Sequence, residues 1–142
     1  MSASGEAAAP PFRVLPRVVP GENEYFWRSG EDGRLRFLRC KNDHYLVHPP
    51  SPRCPKCLSK DLEPWPVSGR ATVLSYTINY QAWIPGFDPP YALAIVEIDE
   101  QSDVRLFTNI VNCPVEDVRI GMPVRVTFEH NADVWVPLFE PA

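Results

Sequence analysis

Apolar and polar residues alternate with a period of two through most of the second half of the chain. In ATVLSYTINY (71–80), Leu74, Tyr76, Ile78 and Tyr80 fall on one face. Ala92, Ala94, Val96 and Ile98 do so in YALAIVEID, and Val104, Leu106 and Ile110 in VRLFTNIV. In PVRVTFEH, Val124, Val126 and Phe128 oppose Arg125, Thr127 and Glu129. Side chains of an extended chain point alternately to two faces, so each run predicts a half-buried strand. The closing run DVWVPLFEP is strand-like but broken by Pro137, as an edge strand would be. PVEDVRIGM has room for one helical turn ending at Gly121. Five short strands and one small helix predict a closed or nearly closed barrel of the OB type.

The first half reads differently. Residues 1–21 are small, proline-rich and aperiodic, and predict a flexible arm. Asn23 is placed to cap a short helix carrying Tyr25, Phe26 and Trp27, with Gly30 and Gly33 ending it. Three adjacent aromatics cannot all enter one small core, so one face is expected to meet another chain or to pack on the ribbon that follows. LRFLRC and YLVHPP read as strands entering and leaving a metal knuckle, CPKC as a second knuckle, and KDLEPWPVSGRA as a linker. The expected organisation is an arm (1–21), a helix with a zinc ribbon (22–66) and an OB-fold domain (67–142), mainly β throughout.

Composition sharpens this picture. Apolar residues form 44% of the 142 positions, enough for an ordinary core. No window approaches the roughly 18 apolar residues that a membrane span requires. The start, MSASGEAAAPPF, lacks a basic stretch followed by an apolar run, so a cytoplasmic protein without membrane attachment is expected. Seventeen prolines favour strands joined by stiff loops over long helices. Charge is uneven: residues 1–70 carry 11 Lys and Arg against 8 Asp and Glu, and residues 71–142 carry 3 against 10.

Of the four cysteines, Cys40, Cys54 and Cys57 cluster at ribbon spacing, and isolated Cys113 reads as a small buried hydrophobe. Cys54-Pro55-Lys56-Cys57 is a C-x-x-C knuckle; Cys40 opens a second knuckle with no second cysteine. Structural zinc takes four donors from two such turns. His44 gives a C-x3-H pair with a good zinc donor, and we expect Cys40, His44, Cys54 and Cys57 to hold the ion. Asp43 keeps the x2 spacing with a harder oxygen, His48 lies further on, and a weak or absent metal is the remaining alternative. Residues 34–60 are too few to bury a core, so the ion would supply folding energy rather than catalysis.

YFWRSGEDGRLRFLRC, HPPSPRCPKCLSKDLE, VSGRATVLSYT, PPYALAIVEID, LFTNIVNCPVEDVRIGMPVRVTFE and PLFEPA, in this order over about residues 24–142, resemble the DUF35 family. That resemblance implies a rubredoxin-like zinc ribbon ahead of an OB-fold. The usual first knuckle of the family is C-x-x-C-G; here its last two positions hold Asp43 and His44. The family further implies a companion of a thiolase-like catalytic subunit in a hetero-oligomer. Such a chain is not catalytic alone, and it supports an acyl-CoA entrance near the interface while the partner binds most of the coenzyme A thioester. The partner's chemistry would be thiolytic or retro-aldol carbon–carbon cleavage in the degradation of aromatic or steroid compounds. The residues agree, because a thiolase site needs two cysteines and a histidine in convergence, and three of the four cysteines are claimed by the ribbon.

Two surface features bear on partners. The loop QAWIPGFDPPYA sets Trp83, Ile84, Phe87 and Tyr91 among prolines. A stiff apolar loop loses little entropy on binding, so it reads as a contact for a partner or an acyl chain, or as a plug for the barrel. Phe26 and Trp27 join it as expected contacts. Arg34, Arg36, Arg39, Lys41, Arg53, Lys56 and Lys60 surround the ribbon, and would meet CoA phosphates, solvent or an acidic partner. Zinc ribbons and OB-folds also bind nucleic acid, which is the alternative function. The acidic barrel half opposes it through phosphate repulsion.

Overall fold

The structure, a computed structural model, describes residues 13–142. It opens with α1 (Glu24–Trp27) and a 3-10 turn (Ser29–Glu31), followed by β1 (Arg36–Cys40), β2 (Leu46–Val47) and β3 (Leu62–Pro66). The second half holds β4 (Arg70–Asn79), β5 (Tyr91–Ile98), β6 (Arg105–Ile110), β7 (Pro123–Asn131) and β8 (Val134–Pro141). The first three strands form an antiparallel sheet in the order β2-β1-β3, and the other five close a barrel in the order β4-β5-β6-β8-β7. The predicted mainly β fold, a helix and ribbon followed by an OB-type barrel, is the one observed. Among the described residues no helix is long and apolar enough to cross a membrane.

The expected arm falls for residues 1–12 outside the described residues. Residues 13–21 are held in place. Arg13 Nε donates to Glu129 at 2.8 Å, its Nη1 donates to Asn109 Oδ1 at 3.2 Å, and its guanidinium lies 4.9 Å from the Phe87 ring centre. Asn23 does not cap α1 through its side chain. It ties down the preceding turn instead, accepting from Val19 N at 2.8 Å and donating to Arg17 O at 3.1 Å. Buried Ser29 joins the helix to the ribbon, donating to Tyr25 O and accepting from Arg36 N.

Of the α1 aromatics expected to meet a partner, Phe26 is instead taken into the core. Phe26 is 6% exposed within the core, and Tyr25 and Trp27 pack against the same core. That core is continuous from α1 and the ribbon (Phe26, Leu35, Phe37, Leu46) into the barrel (Val73, Val96, Val124, Phe139). Gly30 makes the junction possible. A Cβ there would stand 2.5 Å from Trp135 Cβ and 2.6 Å from Phe128 Cγ, far inside van der Waals contact.

β3 lies in the segment expected as linker. Pro64 and Pro66 conceal it in the sequence, but β3 is an edge strand of its sheet and can leave donors unpaired on its outer side. In β4 the register slips between Val73 and Ser75. Before this bulge Ala71 and Val73 are buried, and after it Ile78 packs on the core. The predicted single face of Leu74, Tyr76, Ile78 and Tyr80 is therefore corrected in part: the extra residue exchanges the faces, so Ala71 and Val73 are inward before it and Ile78 after it, while Tyr76 and Tyr80 are exposed. β5 alternates as expected, with Ala92, Ala94, Val96 and Ile98 all buried. β8 runs unbroken through Pro137 and pairs with β7 along its length, whereas β6 meets it at the single parallel rung Ile110–Phe139. Pro137 thus sits on the sparsely bonded flank of a closing strand rather than at an open edge. The helical turn is a 3-10 turn (Val115–Asp117) that stops short of Gly121.

Candidate metal centre and surrounding surfaces

Two knuckles of matching geometry face each other beside the ribbon sheet. In the first, His44 N donates to Cys40 O at 2.8 Å; in the second, Leu58 N donates to Cys54 O at 2.9 Å. The closing residue of each turn is left-handed, with φ 65° at His44 and 64° at Leu58. Cys40 N donates to Tyr45 O and Cys54 N to Ser59 O, both at 2.9 Å. Superposed by these bonds, Cys40 corresponds to Cys54, Asp43 to Cys57, and His44 to Leu58.

One ligand atom from each of Cys40, Asp43, Cys54 and Cys57 lies within 4.8 Å of the others. Cys40 Sγ and Cys57 Sγ are 3.6 Å apart, and the Asp43 oxygens are 3.5 and 3.6 Å from Cys54 Sγ. Three of the four expected ligands therefore converge. His44 does not; it is exposed and lies outside the group, which has Asp43 beside the three thiols instead. The cause is the backbone, since the residue closing a knuckle turns its side chain out of the turn that gathers the donors. Three thiolates and one carboxylate suit a four-coordinate divalent ion such as zinc. Burial pushes the Cys40 thiol up to about 11. Asp43 is held below the usual carboxylate range, first by the Tyr45 N–H, and Cys57 is lowered, first by the Asn42 side chain. When bound, the ion supplies folding energy to the turns.

His48 is also no ligand. It is wedged between Phe26 and Phe37, each ring centre 4.9 Å from its own, and burial lowers it to about 4. Cys113 is half-buried against the core, with its thiol raised by burial. The first knuckle is fastened to the barrel. Leu46 N donates to Gln101 Oε1 at 3.0 Å, Gln101 Nε2 donates to Leu46 O at 2.8 Å, and Tyr45 OH donates to Asp103.

The basic cluster is largely engaged within the chain. Arg36 binds Asp32, and Lys41 lies near Asp61 and Glu63. Arg39 stacks 3.9 Å over the Trp65 ring, and Arg53 donates to Leu58 O. The apolar loop is open: Trp83 is 72% exposed, whereas Phe87 and Tyr91 pack edge to face on each other. Sequence reasoning missed one exposed aromatic. Phe107 is 78% exposed on the outer barrel wall, beside Ile95 and half-exposed Leu93. Its signal was an aromatic out of phase with the buried Leu106.

Residues 27–63 match the family model described as ChsH2, rubredoxin-like zinc ribbon domain, and residues 65–129 match ChsH2, C-terminal OB-fold domain. The chain is 34% identical to a probable enoyl-CoA hydratase alpha subunit of Thermomonospora curvata over 93% of its own length, and spans only 41% of that relative. It is 29% identical to benzoylsuccinyl-CoA thiolase subunit BbsA of Thauera aromatica, over 58% of each protein. Among solved structures, a chain of the Ltp2-ChsH2(DUF35) aldolase superposes with a TM-score of 0.78 at 31% identity, covering 89% of this chain and 98% of that one. The ribbon, the barrel and these likenesses agree, and the chain belongs to the DUF35 family.

Proposed function

We propose that this chain is the non-catalytic, zinc-carrying subunit of a thiolase-type acyl-CoA enzyme. The partner would cleave a carbon–carbon bond by thiolysis or retro-aldol chemistry in the degradation of aromatic or steroid compounds. The observation that carries this reading is the near-complete superposition on the DUF35 chain of an aldolase complex. A benzoylsuccinyl-CoA thiolase subunit and a probable enoyl-CoA hydratase alpha subunit among its relatives support the same reading.

The side chains support a companion role. Acyl transfer by a thiolase mechanism needs a cysteine nucleophile, a second cysteine and a histidine in one pocket. Among the described residues, Cys40, Cys54 and Cys57 gather in the ribbon, and Cys113 stands apart with a raised thiol. His48 is enclosed by phenylalanines, and His130 stacks on Trp135 with ring centres 3.9 Å apart. In this reading the exposed Trp83 loop and the Phe107 wall are the apolar anchors of the heteromer. The partner binds the CoA ester, and the 83–91 loop covers its entrance.

The test is purification of the tagged chain from its native cells, with identification of bound proteins and assay of acyl-CoA cleavage. A co-purifying thiolase-fold subunit, with activity in the complex and none in the lone chain, supports the reading. Robust turnover by the lone chain, or a stable complex with a nucleic-acid enzyme, overturns it.

A further inference from the structure

We propose that Asp43 is the fourth metal donor of the ribbon, and that its carboxylate is the corner through which the metal exchanges. This rests on the ribbon alone and is independent of the partner's identity.

The first argument is register. The two knuckles share the same backbone bonds and the same left-handed closing residue, at φ 65° and 64°. In the second knuckle the residue just before the left-handed position is Cys57; in the first it is Asp43. His44, equivalent to Leu58, is outside the cluster of donors. Bringing its imidazole inward would require abandoning the turn that Cys40 O and His44 N close at 2.8 Å.

The second argument is orientation. Tyr45 N donates to Asp43 Oδ1 at 3.1 Å, fixing the carboxylate plane. Both oxygens then stand 3.5–3.6 Å from Cys54 Sγ, the spacing of two donors sharing one small cation. A bond from the backbone to one oxygen leaves the other available to the ion.

The third is the inequality of the corners. Cys40 and Cys54 are fully buried, whereas Asp43 and Cys57 are exposed. A carboxylate oxygen is a harder donor than a thiolate and competes less well for an ion already bound by three sulfurs. The weakest donor therefore lies on the side facing water. Release of Asp43 and entry of one water molecule opens the site while three thiolates still hold the metal. A chelator or a metal-delivering thiol would enter along the Asp43–Cys57 edge.

The experiment uses the full chain loaded with Co2+ for spectra and with Zn2+ for transfer to a chromophoric chelator. Asp43→Cys should increase thiolate-to-cobalt charge-transfer absorption by the increment of one sulfur. It should also slow zinc transfer by no less than the roughly tenfold that an outer-shell partner is worth. Asp43→Asn should speed transfer by a similar factor, and His44→Ala should leave spectrum and rate unchanged. A changed cobalt spectrum in His44→Ala overturns the proposal, as does a transfer rate in Asp43→Cys equal to the wild-type rate. Asp43→Cys adds a donor, so the test survives if Asp43→Asn fails to fold.

Discussion

His48 is a half-buried base whose protonation should weaken the fold in a defined pH window. It lies between the rings of Phe26 and Phe37, and its Nδ1 is buried without a hydrogen-bond partner. Burial lowers its pKa from 6.5 to about 4. The folded chain therefore binds fewer protons than the unfolded chain at mildly acidic pH. The stability from the neutral ring is complete above about pH 6.5 and is lost as pH falls toward 4. Linkage puts the loss at about 1.4 kcal/mol by pH 5.5, approaching roughly 3 kcal/mol near pH 4. A chain of this length loses about 0.3 kcal/mol per kelvin near its midpoint, so Tm should drop by about 5 °C between pH 7 and pH 5.5 from this residue alone. The assay compares zinc-saturated wild type with His48→Phe by calorimetry across that range. At pH 7 the two should agree to within about 1 kcal/mol, because the variant removes an unpaired polar atom along with the ring nitrogens. At pH 5.5 the variant should be the more stable. Parallel pH profiles would refute the reasoning, since carboxylates and thiols titrate identically in both proteins.

Other outcomes follow from particular contacts. Gly30→Ala forces a methyl to 2.5 Å from Trp135 Cβ and should cost roughly 1–3 kcal/mol in urea unfolding; an unchanged midpoint would mean that the seam between helix and barrel is loose. Cys54→Ser removes a fully buried donor; metal analysis should find the ion lost, and the soluble complex with the partner should no longer form. Phe107→Ser should change stability by no more than about 0.5 kcal/mol, because the ring is exposed, yet weaken partner association measurably in titration calorimetry.

The parts legible in the sequence were those governed by local pattern. Ala92, Ala94, Val96 and Ile98 announce a buried strand because nothing interrupts the alternation of β5. β4 defeats the same logic because one extra residue near Leu74 exchanges the faces, and no side chain marks where the ladder slips. β3 was hidden by Pro64 and Pro66, whose missing donors matter only if the strand has neighbours on both sides. At the metal centre, spacing revealed Cys40, Cys54 and Cys57, but donor chemistry favoured His44 over Asp43. What keeps His44 out of the group is the left-handed backbone there, whose trace in the sequence is the parallel between C-x-x-D-H and C-x-x-C-L.

The pair of hydrogen bonds between Gln101 and Leu46 works as a splice. Its amide occupies both hydrogen-bonding groups of a residue in a strand only two residues long, so the turn of one module completes the sheet of the other. Cutting the chain between β3 and β4 would leave a ribbon with a frayed margin and a barrel without the Phe26–Leu35–Phe37 cover. Each fragment would then show sticky apolar surface. The two pieces that sequence matching separates are, mechanically, a single body.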